Sequence, residues 1–135
     1  MLKTYSKGSR AELELAHFLN HKGFATLRVP SSGGFLSPLD VVAIRRGQVL
    51  AFEIKSHAKK PRLNKDQLER FSAWCEKANA IGFVAWRRTT SEDTKPLSAS
   101  QRWLFLPIEN ARKNDYSDEQ WVERDVLFLN VFGID

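Results

Sequence analysis

Asp40, Glu53 and Lys55 are the residues whose types and spacing could do chemistry together. Asp40 stands near the start of one apolar run, LDVVAI, and Glu53 and Lys55 close the next, VLAFEIK. Side chains two residues apart on a strand point to the same face, so Glu53 and Lys55 project together. If the runs pair as a hairpin folded at Arg46-Gly47, Asp40 comes to lie across the ladder from Glu53. Two carboxylates and an ammonium then converge at one end of a sheet. Neighbouring carboxylates repel, and a hard divalent cation with oxygen ligands relieves that repulsion. Such a cation can activate water and neutralise a leaving oxygen, while Lys55 holds the attacking water or the extra negative charge. That chemistry suits hydrolysis of a phosphodiester. The plain alternative is a surface strand with alternating charges, but the neighbours of Glu53 are apolar, and charges in such runs are rare unless paired or bound to metal.

Glu12 belongs to the same argument. In the helix expected over 9–22, residues 12, 15, 16 and 19 share a side whose other members are Leu15, Ala16 and Leu19. Arg10, Glu14, His17 and His21 form the opposite, wet stripe. A carboxylate on the apolar side needs a reason. It either closes a capping box with Ser9 or adds an acid to the shell of Asp40 and Glu53.

These side chains need a frame. Gly23 ends the first helix, and FATLRV (24–29) reads as a strand. Residues 30–38, PSSGGFLSP, are dense in turn formers and read as a loop. The hairpin strands fall at roughly 40–45 and 49–55. A basic loop, 57–64, leads to a helix over 65–79 capped by Asn64, with Leu68, Phe71, Cys75 and Ala78 on one side. Residues 81–86 and 103–108 read as buried strands joined by a polar, mobile connection. Ser117 and Gln120 suggest a short helix start, and the apolar tail 126–132 fits helix or strand equally. The order α-β-β-β-α-β-β implies an α/β fold: a mixed central sheet of about five strands with helices on its faces, in a single domain over residues 1–135.

Composition bounds the partners. Lys and Arg number 21 against 16 acids, a formal charge of +5, which favours a polyanion such as nucleic acid. Between Glu53 and Asp66 there is no acid, while Lys55, Lys59, Lys60, Arg62 and Lys65 accumulate. No apolar run approaches the roughly 18 residues that cross a bilayer, and the N-terminus has no signal-peptide centre, so no membrane is expected. One cysteine, Cys75, cannot form an internal disulfide, and the expected compartment is the reducing cytoplasm. His17 and His21 have metal-ligand spacing but no third ligand, and read as a solvated face. Trp74, Trp86 and Cys75 read as core, His57 as part of a loop. Gln67 could face the acids across the basic loop. The SSGG run lacks the phosphate-loop spacing, so no nucleotide cofactor is expected.

Five segments now stand in order: KGxxxExE (Lys7 to Glu14), GFATLR (Gly23 to Arg28), PSSGG (Pro30 to Gly34), LDVVA (Leu39 to Ala43) and FEIKS (Phe52 to Ser56). In this the chain resembles the archaeal Holliday junction resolvases of the PD-(D/E)xK nuclease superfamily, over roughly residues 7–86. The resemblance implies a restriction-endonuclease-like fold. It also implies a homodimer that cuts two opposed strands of a four-way DNA junction with Mg²⁺ or Mn²⁺. Glu12, Asp40, Glu53 and Lys55 then correspond to active-site residues, with the first three as metal ligands. Ser32 corresponds to a loop serine near the scissile phosphate, and Arg28 to a DNA-contacting base. Together with Arg28, Lys7, Arg10, Lys59, Lys60, Arg62 and Lys65 make up the expected DNA-binding set. Two departures stand out: Leu13 follows the helix glutamate where the family often has Arg, and Leu39 separates Pro38 from Asp40. A restriction- or repair-type enzyme on duplex DNA and a non-catalytic DNA-binding module are the alternative readings.

Overall fold

A computed structural model describes residues 7–30, 38–89 and 96–134. Helix α1 (Lys7–His21) leads through Gly23, at φ +94°, into strand β1 (Ala25–Arg28). Strands β2 (Val41–Arg45) and β3 (Gln48–His57) form the expected hairpin. Arg46 and Gly47 take φ of +50° and +82°, and Arg45 pairs with Gln48. This two-residue turn needs left-handed backbone at both positions, which glycine adopts without cost and arginine only at some cost. Its type fixes the register of the whole hairpin.

Helix α2 (Lys65–Ala78) starts where Asn64 Oδ1 accepts the Gln67 amide at 2.7 Å, as the sequence suggests. It crosses over to β4 (Ile81–Arg88), which lies parallel to β3. β5 (Trp103–Pro107) and β6 (Val122–Glu123) complete a sheet in the order β1-β2-β3-β4-β5-β6, antiparallel except for the central β3–β4 pair. The sheet has six strands rather than five because β6 is a two-residue edge too short to leave a pattern in the sequence.

One local expectation, the cap at Ser9, is corrected. Ser9 lies inside α1, which already runs from Lys7, so it does not cap the helix. The capping box falls instead at Ser98 and Gln101, ahead of a helical turn, α3 (Ala99–Arg102), at the end of the stretch expected to be a mobile connection. The two described ends of that stretch are bonded to each other: Arg102 donates to the Arg88 carbonyl at 2.8 Å, and Arg88 Nε to that of Gln101 at 3.0 Å. Residues 90–95 of the same stretch lie outside the described residues. The short helix start expected at Ser117 is present as a 3₁₀ turn at Asp118–Gln120, with Ser117 as its N-cap. The apolar tail resolves as helix, α5 (Arg124–Val126) running into a π-helical turn at Leu127–Val131.

The sheet is covered on both faces. On one, Phe52, Ile54, Phe83, Ala85 and Phe105 meet Ala11, Leu15 and Leu19 of α1 and Phe128 of the tail. On the other, Ala51, Val84, Trp86 and Leu106 meet Phe71 and Cys75 of α2, Ile108 and Ala111 of a short helix α4 (Ile108–Arg112), and Trp121. Burial lifts the Cys75 thiol to about 12, so it behaves as a small apolar group.

Gly82 is the tightest point of this second face. A Cβ there would stand 2.8 Å from Cys75 Sγ and 3.4 Å from Ile108 Cβ. Gly82→Ala should therefore lower unfolding free energy by about 1–3 kcal/mol in urea titrations. Adding Cys75→Ala should recover part of that loss. A neutral Gly82→Ala would show that α2 is not held this closely on β4.

Candidate active site

Val41 and Phe52 form the last paired position of the β2–β3 hairpin. One step further, the chain before β2 bends away at Asp40, whose amide still donates to the Phe52 carbonyl at 2.9 Å. The Asp40 side chain then takes over from the departing backbone: its Oδ2 accepts the Ile54 amide at 2.7 Å. This bond both satisfies a buried donor and aims the carboxyl at the sheet end. Asp40 and Glu53 are the two buried charged residues of the described chain, 6% and 5% exposed.

The nearby Asp40 carboxyl favours the protonated form of Glu53. Burial is the main reason that the Glu53 carboxyl is pushed from 4.5 up to about 9. The bond to Asp40 and its charge add to the rise, Glu12 adds a little, and Lys55 opposes it. Lys55, half-buried, follows Glu53 on the same face of β3, as the period of the strand requires.

Glu12 approaches from the other side of the sheet. Ala11, Leu15 and Leu19 are fully buried under α1, and Glu12 flanks that stripe, half-buried. Its carboxyl is raised by burial and by the charge of Asp40, against the pull of Arg28, whose guanidinium stands 3.9 Å away. Glu12 is thus electrostatically coupled to the acid pair. Among the described residues, however, no three acidic, histidine or cysteine side chains already converge as a metal-binding group. The preformed part is Asp40–Glu53. Its chemistry fits a hard divalent cation: oxygen donors of like charge, buried together, which a cation could hold with neither carboxyl protonated. Asp40 and Glu53 would hold such an ion, and Glu12 would have to swing inward to join them.

The remaining expected residues fall differently. Ser32 lies outside the described residues, as does the side chain of Lys7. Arg10 is exposed on α1, and Arg28 ends β1, donating to the Ser9 carbonyl at 3.3 Å. Lys59 and Lys65 are exposed. Lys60 pairs with Asp118, and Arg62 bonds Asn114 and stacks over Tyr116 at 4.3 Å. The basic loop is therefore pinned to residues 114–118 rather than freely solvated. His17 and His21 are exposed and Trp86 is buried, as expected. Glu14 is exposed, as the wet stripe requires, and also accepts hydrogen bonds from Arg87 and Trp103, which the sequence did not indicate. Partners 73 and 89 positions away leave no local signal.

Comparison with known proteins accords with this geometry. The profile of the family described as archaeal Holliday junction resolvase (hjc) matches residues 3–127. The chain is similar to the crossover junction endodeoxyribonuclease Hjc of Methanocaldococcus jannaschii. The two are 39% identical over 77 residues, which is 56% of this chain and 55% of that relative. The chain thus spans about half the length of that curated relative. It is also similar to the 1.6 Å structure of Archaeoglobus fulgidus Hjc, a Holliday junction resolvase from an archaeal hyperthermophile. That match has a TM-score of 0.57 and 29% identity, and covers 77% of this chain and 75% of the other.

The Glu53 proton has a consequence for stability. Between pH 4.5 and about 9 the folded chain holds a proton that the unfolded chain releases. Stability is therefore greatest below the unfolded value and falls as pH rises through the folded one, by up to about 1.4 kcal/mol per unit. Thermal unfolding of the metal-free protein should show this decline, and Glu53→Gln should flatten it. An equal slope in both proteins would mean that Glu53 is not the group responsible.

Proposed function

This chain belongs to the archaeal Holliday junction resolvase family, and from that premise we propose that it is a structure-selective endonuclease. Its substrate is the four-way DNA junction, its reaction the hydrolysis of a phosphodiester bond, and its working form a homodimer. The observation that carries this reading is the buried Asp40–Glu53 pair at the open end of the central hairpin, with Lys55 on the same face. Residues 1–135 act as one nuclease unit. A reducing cytoplasm suits its single, buried thiol. Among the described residues no helix is long and apolar enough to cross a membrane.

Mg²⁺, with Mn²⁺ as substitute, is the proposed cofactor; when bound it supplies an activated water and charge neutralisation at the leaving oxygen. Asp40, Glu53 and Glu12 are its proposed holders. Asp40 is presented by the Ile54 amide, so its carboxyl needs no reordering before the ion arrives. Glu53 must give up its proton, and the nearby Lys55 ammonium favours that loss. Lys55 then faces the phosphate, where its charge counters the negative charge that grows on the non-bridging oxygens. Ser32 is proposed beside the scissile phosphate. Lys7, Arg10, Arg28, Lys59, Lys60, Arg62 and Lys65 are the proposed contacts to the DNA backbone. Of these, Lys60 and Arg62 must leave Asp118 and Asn114 to reach a phosphate, so Lys59 and Lys65 should contribute more per residue. A two-fold dimer presents two such sites, which suits paired cuts on opposed strands.

The test compares a four-way junction with a linear duplex of matched sequence, each with Mg²⁺ and with chelator. Junction cleavage that depends on Mg²⁺, with little cutting of duplex, is expected. Equal cutting of both would favour a duplex endonuclease, and binding without any product a non-catalytic module. Asp40→Asn should lower cleavage by about 10³-fold or more, the scale on which loss of a reacting-centre group acts. Its junction affinity in chelator should hold or rise, because a negative charge facing phosphate has gone.

A further inference from the structure

Glu14 is an exposed glutamate whose contacts reach across the molecule. Its Oε2 accepts Arg87 Nε at 2.5 Å and Trp103 Nε1 at 3.1 Å. Trp103 is 1% exposed at the start of β5, and Arg87 lies opposite it on β4, where the two are paired in the sheet. One carboxylate oxygen therefore fastens α1 to two adjacent strands through charge-assisted bonds, the stronger kind of hydrogen bond.

The position of this clamp matters because of where Glu12 lies. Residues two apart on a helix diverge by about 200° around its axis. Glu14 accordingly reaches over β4 and β5, while Glu12 reaches the opposite flank, toward Arg28 on β1 and the charge of Asp40. Between them runs the stripe Ala11, Leu15 and Leu19. Apolar packing holds a helix down but is non-directional, and it tolerates a small rotation or slide. Two hydrogen bonds of fixed direction do not. A rotation that loosened Glu14 would carry Glu12 with it.

We propose that Glu14, held by Arg87 and Trp103, is a positioning residue that sets the angle at which α1 offers Glu12 to the Asp40–Glu53 pair. Glu14 bonds Arg87 and Trp103 on the far side of the helix and acts on Glu12 through the helix. The inference rests on the reading of Glu12 as part of a cation site. It goes beyond that reading in assigning the cost of cation binding to a clamp on the far side of the helix. A supporting group outside the ligand set typically controls about 10- to 100-fold in metal affinity.

The test titrates Mn²⁺ alone into the DNA-free protein by calorimetry and compares wild type, Glu14→Ala and Arg87→Met. Arg87→Met keeps most of the side-chain stem and breaks the clamp from its other end, leaving α1 itself unaltered. Both variants should bind Mn²⁺ about tenfold or more weakly. Glu14→Gln, which still accepts from Trp103, should fall between them and wild type. In junction cleavage the Mn²⁺ midpoint should rise while the rate at saturating Mn²⁺ changes much less, a split that general loss of folded protein would not give. Junction affinity of Glu14→Ala in chelator should match wild type. Wild-type Mn²⁺ affinity in Glu14→Ala or in Arg87→Met overturns the proposal. If wild type itself takes up no Mn²⁺, the cation-site reading fails, and this inference with it.

Discussion

Two carboxyl groups buried against each other at the end of a sheet are the constraint around which the structure is arranged. Asp40 and Glu53 are almost wholly removed from water. Without a compensating cation, the apolar surroundings and mutual repulsion favour retention of a proton, and Glu53 keeps it up to about pH 9. Natural cores seldom carry this cost unless the groups are used. The backbone makes the cost unavoidable. The Arg46-Gly47 turn sets the hairpin register, the register puts position 40 opposite 53, and the Ile54 amide locks Asp40 in place.

The other elements hold this end of the sheet open and rigid. The central β3 is paired on both sides, antiparallel to β2 and parallel to β4. The β4 partner of Lys55 is Trp86, whose indole N–H donates to the His57 carbonyl at 2.9 Å and whose ring meets Trp121 edge-on at 5.5 Å. The strand end that carries Lys55 is thereby fixed just beyond the acids. Helix α1 packs on the opposite face and brings Glu12 toward the same end, where Arg28 of β1 stands 3.9 Å from its carboxyl. Acids and ammonium thus come from a hairpin, and a further acid from a helix.

Much of this was legible because it is local. Alternation and a two-residue turn signal give a hairpin and its register, and these alone bring Asp40, Glu53 and Lys55 together. The amphipathic spacing of α1 put Glu12 near the apolar stripe, and Asn64 marked the start of α2. What escaped is long-range or very short. The hydrogen bonds of exposed Glu14 escaped because its partners, Arg87 and Trp103, are remote in sequence. Lys60 and Arg62 looked free because Asp118 and Asn114 lie far along the chain. Strand β6, of two residues, and the helical turn at Ala99–Arg102 are too brief for any period to register. The apolar tail was ambiguous because a short apolar run fits either element until its packing partners are known.

The central claim, that Glu53 carries a proton because it is buried against Asp40, can be read directly by ¹³C NMR of the Glu53 carboxyl during a pH titration of the metal-free protein. A midpoint near 9 is expected, moving down once Mg²⁺ is added in excess. A midpoint near the ordinary 4.5 in metal-free protein would contradict it, and with it the view that this sheet end is built to receive a cation.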